Sequence, residues 1–408
     1  MAMQYLGIDL SNSESTLLFS SGERERTLSL ATAIFREQEK ERWYVGTEAC
    51  EKALAGPGSM TENLLVGSER GGSILVEGTE YRAIELLARF LKLAKRELLG
   101  EEKEEATYTV LVLPEYRLSF VRELRTLLPQ YDFPADTLRI ISREESFLHF
   151  LCGEPALLEA GEVGLYALEE KSFAFYAGRS KKEKNKDVLL AETQNMREAF
   201  TLKMLNNTQG ENYADHLLAT NAEKVLRNRH FASVILTGPG FNRMDWSLNF
   251  QRSVCKGQRK LYQDKTVFAQ GGLLAGRAAV EKRELPRLVC KGRSPVRLSL
   301  LVKHEGQERE LVLAERGAAL LTAGGRFRFL PEDRKEVQLL LSDGGRVIRS
   351  LPVALDVLPE REDKSCYIDV SFRFSDERRA EFTMVDAGFG EIFPPSGKES
   401  RQEVELWD

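Results

Sequence analysis

A change of period near residue 283 constrains this chain more than any single motif. Before it, strand-like apolar runs alternate with stretches of helical spacing; after it, only short alternating runs occur. Tyr108 to Leu113 is a β-rich run stopped by Pro114, and Leu118 to Leu128 has helical spacing. Leu138 to Ile141 is a short buried strand feeding a helix from Glu144 to Cys152. Strand, helix, strand, helix is the signature of a mainly parallel sheet. Upstream, Tyr5 to Phe19 reads as a hairpin and Trp43 to Val45 as part of a second. Tyr81 to Leu98 is an amphipathic helix, with Ile84, Leu87, Ala88, Leu91, Ala94 and Leu98 on one face. Downstream, Val163 to Leu168 and Ser172 to Tyr176 form another strand pair. Helices at Arg197 to Leu205 and Tyr213 to Leu226 follow, then a buried strand at Ser233 to Thr237. Two α/β halves are implied, with no internal repeat visible in the residues.

From Val296 the runs are short: Arg297 to Lys303, Glu310 to Ala314, Gly325 to Phe329, Glu336 to Leu341, Val347 to Ser350, Tyr367 to Phe374 and Ala380 to Val385. Turn signals such as Ser342-Asp343-Gly344-Gly345 separate them, so a β-sandwich is expected. The basic stretch from Lys282 to Pro295, with Pro286 and Gly292, reads as the junction. The expected division is residues 1–283, a linker at 284–295, and a sandwich at 296–408.

Composition excludes several classes of function. With 408 residues, 42% hydrophobic and 30% charged, the chain can bury a large core in two or three domains. Its apolar runs fall far short of the roughly 20 residues a membrane helix needs. No basic-then-apolar leader opens it, so no membrane association and a cytoplasmic location are expected. The five cysteines are scattered without a CxxC and the four histidines are isolated, which signals no metal site and no disulfide framework. The cysteines read as structural thiols. A net charge of -5 gives no nucleic-acid footprint.

Single features have plain readings. The basic run Arg179 to Lys186 suits a solvated hairpin tip or a docking site for an acidic partner. His149 suits a core position. Glu144 and Glu145 are adjacent on a helix and point apart, which argues against paired-acid chemistry. Phe389, between Gly388 and Gly390, makes a turn in the last hairpin or a partner-binding knob.

The order of segments resembles the Hsp70-like branch of the actin and Hsp70 ATPase superfamily. Tyr5 to Phe19, with Asp9 and the turn Ser11-Asn12-Ser13-Glu14, resembles its first phosphate hairpin. Val110 to Pro114, Arg122 to Leu128 and Leu138 to Ser146 resemble its connecting strands and helix. Val163 to Phe175 stands at the second phosphate hairpin. Val234 to Phe241, with Gly238 and Gly240, resembles the adenosine strand and turn, and Phe268 to Gly276 the small-residue helix after it. The strands after Val296 match the chaperones' substrate-binding β domain in position, with no helical lid after them. The ending Asp386-Ala387-Gly388-Phe389-Gly390-Glu391-Ile392-Phe393-Pro394 is closest to a bacterial Hsp70-like group that brings no activity with it. The resemblance implies an actin-like, two-lobed α/β domain followed by an all-β sandwich.

At the positions that carry the family's chemistry this chain departs. Ala167 stands for the Asp of the second hairpin, and Glu169, Glu170 and Lys171 for its glycines, so side chains and negative charge meet phosphate where backbone should. Arg143 stands for the Glu of the connecting strand. Near Asn63 to Gly67 no lysine is in register. About 60 residues separate Ser172 from Val234, which reduces the second-lobe insertion to two helices. Asp9 survives, as a ligand or as the cap of its own turn. No catalytic residue and no metal ligand are assigned. A vestigial cleft is expected at Asp9, Ser11, Asn12, Ser13, Ser172, Gly238 and Gly240, with no cofactor. The expected function is a pseudo-ATPase that binds or scaffolds a protein or peptide, with Phe389 as a contact. The alternatives are an ATP-dependent chaperone using ATP and magnesium through Asp9, Ser13 and Ser172, and an actin-like filament or division protein.

Overall fold

The computed structural model describes residues 3–38, 42–100, 107–183, 186–196, 200–227, 229–304, 307–330, 335–357, 366–391 and 393–407. The fold is mixed α/β with several sheets. Its contacts divide the chain into two units. The first comprises Met1–Tyr116, Glu123–Lys181 and Asp187–Pro286; the second comprises Arg117–Arg122, Lys182–Lys186 and Arg287–Asp408.

The first unit opens on an antiparallel meander of β1 (Gln4–Asp9), β2 (Glu14–Ser21) and β3 (Arg24–Ala31). On the other side of β1 lie β4 (Thr107–Leu113) and then β5 (Leu138–Ser142), both parallel to their neighbours. The order is β5-β4-β1-β2-β3. Val110, Leu111, Val112 and Leu113 are all buried, which is why β4 reads as a continuous apolar run rather than an alternation.

A second sheet repeats the plan. β6 (Glu162–Leu168) pairs antiparallel with β7 (Phe173–Glu183) and in parallel with β9 (Phe231–Thr237); β10 (Lys260–Gln263) lies parallel beyond β9, and β8 (Lys186–Asn195) beyond β7. The run β10-β9-β6-β7-β8 matches the first sheet in order, with a central strand antiparallel on one side and two parallel strands on the other. The repeat is one of topology, which burial patterns specify without identical residues.

Helix α1 (Ala83–Leu99) buries the face its spacing predicts, including Ile84, Leu87, Leu91 and Leu98. It starts two residues later than expected, because Thr79–Arg82 pairs with Ser73–Val76 across a Glu77-Gly78 turn with φ of 48° and 74°. Helix α2 (Arg143–Gly153) is capped by Ser142, whose hydroxyl accepts from the Glu145 N–H at 3.1 Å. The expected pair of second-lobe helices resolves otherwise. Leu202–Asn206 is a 3-10 turn, residues 197–199 lie outside the described residues, and α3 (Thr208–Leu226) begins where the Asn207 side chain accepts from the Gly210 N–H at 2.9 Å. Of the basic run Arg179 to Lys186, residues 184 and 185 likewise lie outside the described residues.

Helix α4 (Val267–Val280) packs on β1, β4 and α2. Its approach is so close that a Cβ on Gly7 would lie 2.0 Å from the Ala269 carbonyl oxygen, and one on Gly271 2.0 Å from that of Ser146. Small residues are therefore dictated at this crossing.

The second unit holds two four-stranded antiparallel sheets. One orders Gln307–Ala314, Arg297–His304, Glu336–Asp343 and Arg346–Ala354; the other orders Gly324–Phe329, Tyr367–Phe374, Arg379–Gly388 and Glu399–Glu405. Ile368, Val370, Phe372 and Phe374 alternate inward and meet Ala380, Phe382 and Met384. The last strand, Glu399–Glu405, was not expected: it is a charged sheet edge with only Val404 buried, so it carries no apolar alternation. Arg287–Val289, within the stretch read as a linker, forms a short strand. Cys50 and Cys255 are exposed, which corrects the reading of all five cysteines as structural; Cys290 and Cys366 are buried.

Candidate cleft at the strand ends of the first unit

The carboxyl ends of β1 and β6 and the first turn of α2 converge on one arginine. Arg143 donates from Nε to Asp9 Oδ1 at 2.8 Å and from Nη2 to Asp9 Oδ2 at 3.1 Å; its Nη1 lies 2.5 Å from Glu169 Oε1. Its guanidinium sits 4.7 Å from the centroid of the Phe268 ring. The side chain of Arg143 is 4% exposed, against 14% for Asp9 and 15% for Glu169. A planar fork between two carboxylates is the geometry arginine serves best. Ser11 Oγ adds a bond to Glu169 Oε2 at 3.1 Å.

Burial pushes the Asp9 carboxyl up to about 6, against the pull of Arg143. Burial alone would lower Arg143, but Asp9 and Glu169 hold it well above its ordinary value. The neighbouring acids of α2 are engaged elsewhere: Glu144 accepts from the Thr193 hydroxyl at 2.6 Å, and Glu145 pairs with Arg139 at 2.5 Å. They point apart, as adjacent helical residues do.

The space left beside this triad is a cavity of about 20 Å³, bordered by Asp9, Thr16, Ala167, Glu169, Thr237 and Gly238. A water molecule needs roughly 10–15 Å³ of such space, and a drug-sized ligand several hundred. Magnesium and ATP, which the superfamily resemblance implies, do not fit these residues. Asp9 and Glu169 are both held by the Arg143 guanidinium, and the void beside them is of water size.

The other residues singled out from sequence are placed as follows. Asn12 turns away from the triad, with Nδ2 donating to Asn63 Oδ1 at 2.8 Å and Oδ1 accepting from the Val66 N–H at 3.2 Å. Ser13 donates its N–H to Ser11 Oγ at 3.4 Å. The Ser172 side chain is exposed, and its carbonyl closes the β6–β7 turn by accepting from the Glu169 N–H at 2.9 Å. Gly238, at φ 93°, borders the cavity, and Gly240 abuts the Leu168 side chain. The sequence shows Arg143 in place of a ligand and Glu169 in place of a glycine; that Arg143 joins Asp9 and Glu169 is seen only in the structure. Thr237 and Lys265, also on the cavity wall, were not singled out.

In the second unit, Phe389 is 37% exposed and stacks on Tyr367 at 5.4 Å between ring centroids. Gly388 and Gly390 flank it at φ 70° and 67°, so the turn reading describes its backbone. Ile392 of the same segment lies outside the described residues. Buried Asp386 braces the turn by accepting from the N–H groups of Gly388 and Ser396, both at 2.9 Å. Burial would raise that carboxyl, but hydrogen bonds from Cys366 and Ser396 hold it well below the usual carboxylate range.

Among the described residues no helix is long and apolar enough to cross a membrane. No curated protein matches the chain. Among solved structures it is similar to a non-polymerising mutant of MamK bound to AMPPNP, at 12% identity and a TM-score of 0.43, over 68% of this chain and 99% of that one. It is also similar to the MamK double helical filament, at 12% identity and a TM-score of 0.46, over 70% and 100%. Residues 293–406 match the domain of unknown function DUF8552. Residues 17–293, more than half of the sequence, match the C-terminal model of the family of unknown function DUF5716, and the chain belongs to that family.

Proposed function

We propose that this chain is a catalytically degenerate protein of the actin and Hsp70-like architecture that binds or scaffolds a protein partner in the cytoplasm. The observation that carries this reading is Arg143, which spans Asp9 and Glu169 where a nucleotide's metal and phosphates would need room. The superfamily assignment is supported by the repeated five-strand plan of the first unit, with its cleft at the strand ends. Phosphoryl transfer depends on cations placed around phosphate oxygens and carboxylates that hold the metal. Here the carboxylates hold an arginine instead. With no hydrolytic step to drive release, binding is constitutive. The two antiparallel sheets of the second unit supply the binding surface, packed as a sandwich, with exposed Phe389 as one contact.

The test is capture of partners from the native host with the full chain as bait, with and without ATP and magnesium. The same proteins should be retained in both. Release by ATP would contradict this reading and favour the chaperone alternative, and concentration-dependent polymers in sedimentation would favour the filament alternative.

A further inference from the structure

In one sheet of the second unit, Gly324–Phe329 and Glu399–Glu405 are the outer strands, and among the described residues no further strand pairs with either. Such edges present open N–H and C=O groups that another chain can complete. Their charges are opposite in sign. Gly324–Phe329 carries Arg326 and Arg328 and no acid, whereas Glu399–Glu405 carries three glutamates and one arginine. On the outer face of the sheet, Arg328 meets Asp369, Arg373 meets Glu381, Arg379 meets Glu403 and Arg401 meets Glu399. Those pairs cancel. What remains on that face is exposed Arg326 at one edge and exposed Glu405 at the other, neither in an ion pair among the described residues. Like charge on both edges would block pairing; opposite charge selects it.

We propose that a second copy of the chain pairs head to tail here, Gly324–Phe329 of one copy beside Glu399–Glu405 of the next. The outer strands of a four-stranded antiparallel sheet run in opposite directions, so copies in the same orientation meet antiparallel. The main chain fits this pairing. Leu406 donates its N–H to the Arg378 carbonyl, and Ser375 to that of Arg379. The alternation of an antiparallel ladder then turns the N–H and C=O of Glu403 and Glu405 to one open side of the sheet, and those of Arg326 and Arg328 to the other. Facing Arg326 with Glu405 sets Arg328 against Glu403 and Phe327 against Val404. A slip of two residues sets Arg328 against Arg401 or leaves Arg326 without an acid, so charge fixes the register. The other sheet repeats the polarity. Its outer strand Gln307–Ala314 carries Glu308, Arg309 and Glu310; its opposite outer strand, Arg346–Ala354, carries Arg346 and Arg349 and no acid, with Val347 and Ile348 exposed. Gln307–Ala314 lies against Gly324–Phe329, and Arg346–Ala354 against Glu399–Glu405, so seating one pair of edges opposes the other. The joined surfaces differ, which makes the contact heterologous and lets it continue from copy to copy.

The experiment is sedimentation velocity of the full chain at low salt, from low micromolar to a few hundred micromolar. Average mass should rise with concentration, and association should weaken as salt rises. Arg326→Glu and Glu405→Arg change side chains in no ion pair within the copy, and each should weaken association at least about threefold. Arg326→Glu/Arg328→Glu and Glu403→Arg/Glu405→Arg should each be monomeric, because the facing edges then repel, and an equimolar mixture of the two should associate again. If a double variant does not fold, mixing Arg326→Glu with Glu405→Arg reads the same rescue. A wild-type chain that stays monomeric throughout, or a mixture that fails to associate, would overturn the proposal. So would assembly unchanged in the reversed variants, which would place self-association on another surface, as the filament alternative requires.

Discussion

Arg143→Met is expected to destabilise the first unit by about 3–5 kcal/mol at neutral pH, because removing one member of a buried ion group leaves its partners uncompensated. Those partners are Asp9 and Glu169, whose side chains are 14% and 15% exposed. Part of the loss should return as the solution is acidified. An acid whose folded pKa is raised binds its proton more tightly in the folded state, so stability rises as pH falls through that pKa and levels off below the unfolded value. In the native protein Asp9 titrates at about 6 against roughly 3.9 for a free Asp, so its window is the interval between them. In Arg143→Met the downward pull of the guanidinium is gone while Glu169 still pushes upward, so recovery should begin at higher pH than in the native protein. Urea melts across this range check the sign; a loss of stability independent of pH would contradict it.

The second large effect is expected at Gly7. An added methyl would meet the Ala269 carbonyl oxygen at 2.0 Å and the Leu273 nitrogen at 2.8 Å, both main-chain atoms of a buried helix. Neither can swing aside as a side-chain tip could, so α4 must shift off β1. Overpacking typically costs about 1–3 kcal/mol, and more where backbone must move; Gly7→Ala should therefore lose about 3 kcal/mol or more. Gly56→Ala is the control, since nothing lies within 4 Å of its added Cβ and its φ of -162° is ordinary extended backbone. A thermal midpoint for Gly7→Ala within a degree or two of that control would refute the close packing described for α4.

Most regular elements were legible where burial and period agree. Tyr367–Phe374 alternates strictly because one face is buried, and Leu118–Leu127 follows helical spacing. Illegible elements lacked that agreement. Glu399–Glu405 is a charged edge whose order comes from pairing with Arg379–Gly388. In the small sheet, Trp43–Val45 pairs antiparallel with Ile34–Glu37 as the expected second hairpin, but Ile34–Glu37 and Gly58–Thr61, of four residues each, are too short to show a period. The cleft illustrates a further limit. Ala167, Glu169 and Arg143 could be read individually as departures from a phosphate site. Their joining depends on two half-sheets bringing residues 9, 143 and 169 together, and no local pattern encodes a contact across such separations.

The central claim is that Arg143 has replaced the metal and phosphates of an ATPase cleft. The direct test is calorimetric titration of the intact protein with ATP and magnesium, joined to a phosphate-release assay on native protein and Asp9→Ala. The account predicts no saturable heat and no phosphate above background in either. Micromolar binding with turnover that vanishes in Asp9→Ala would contradict it.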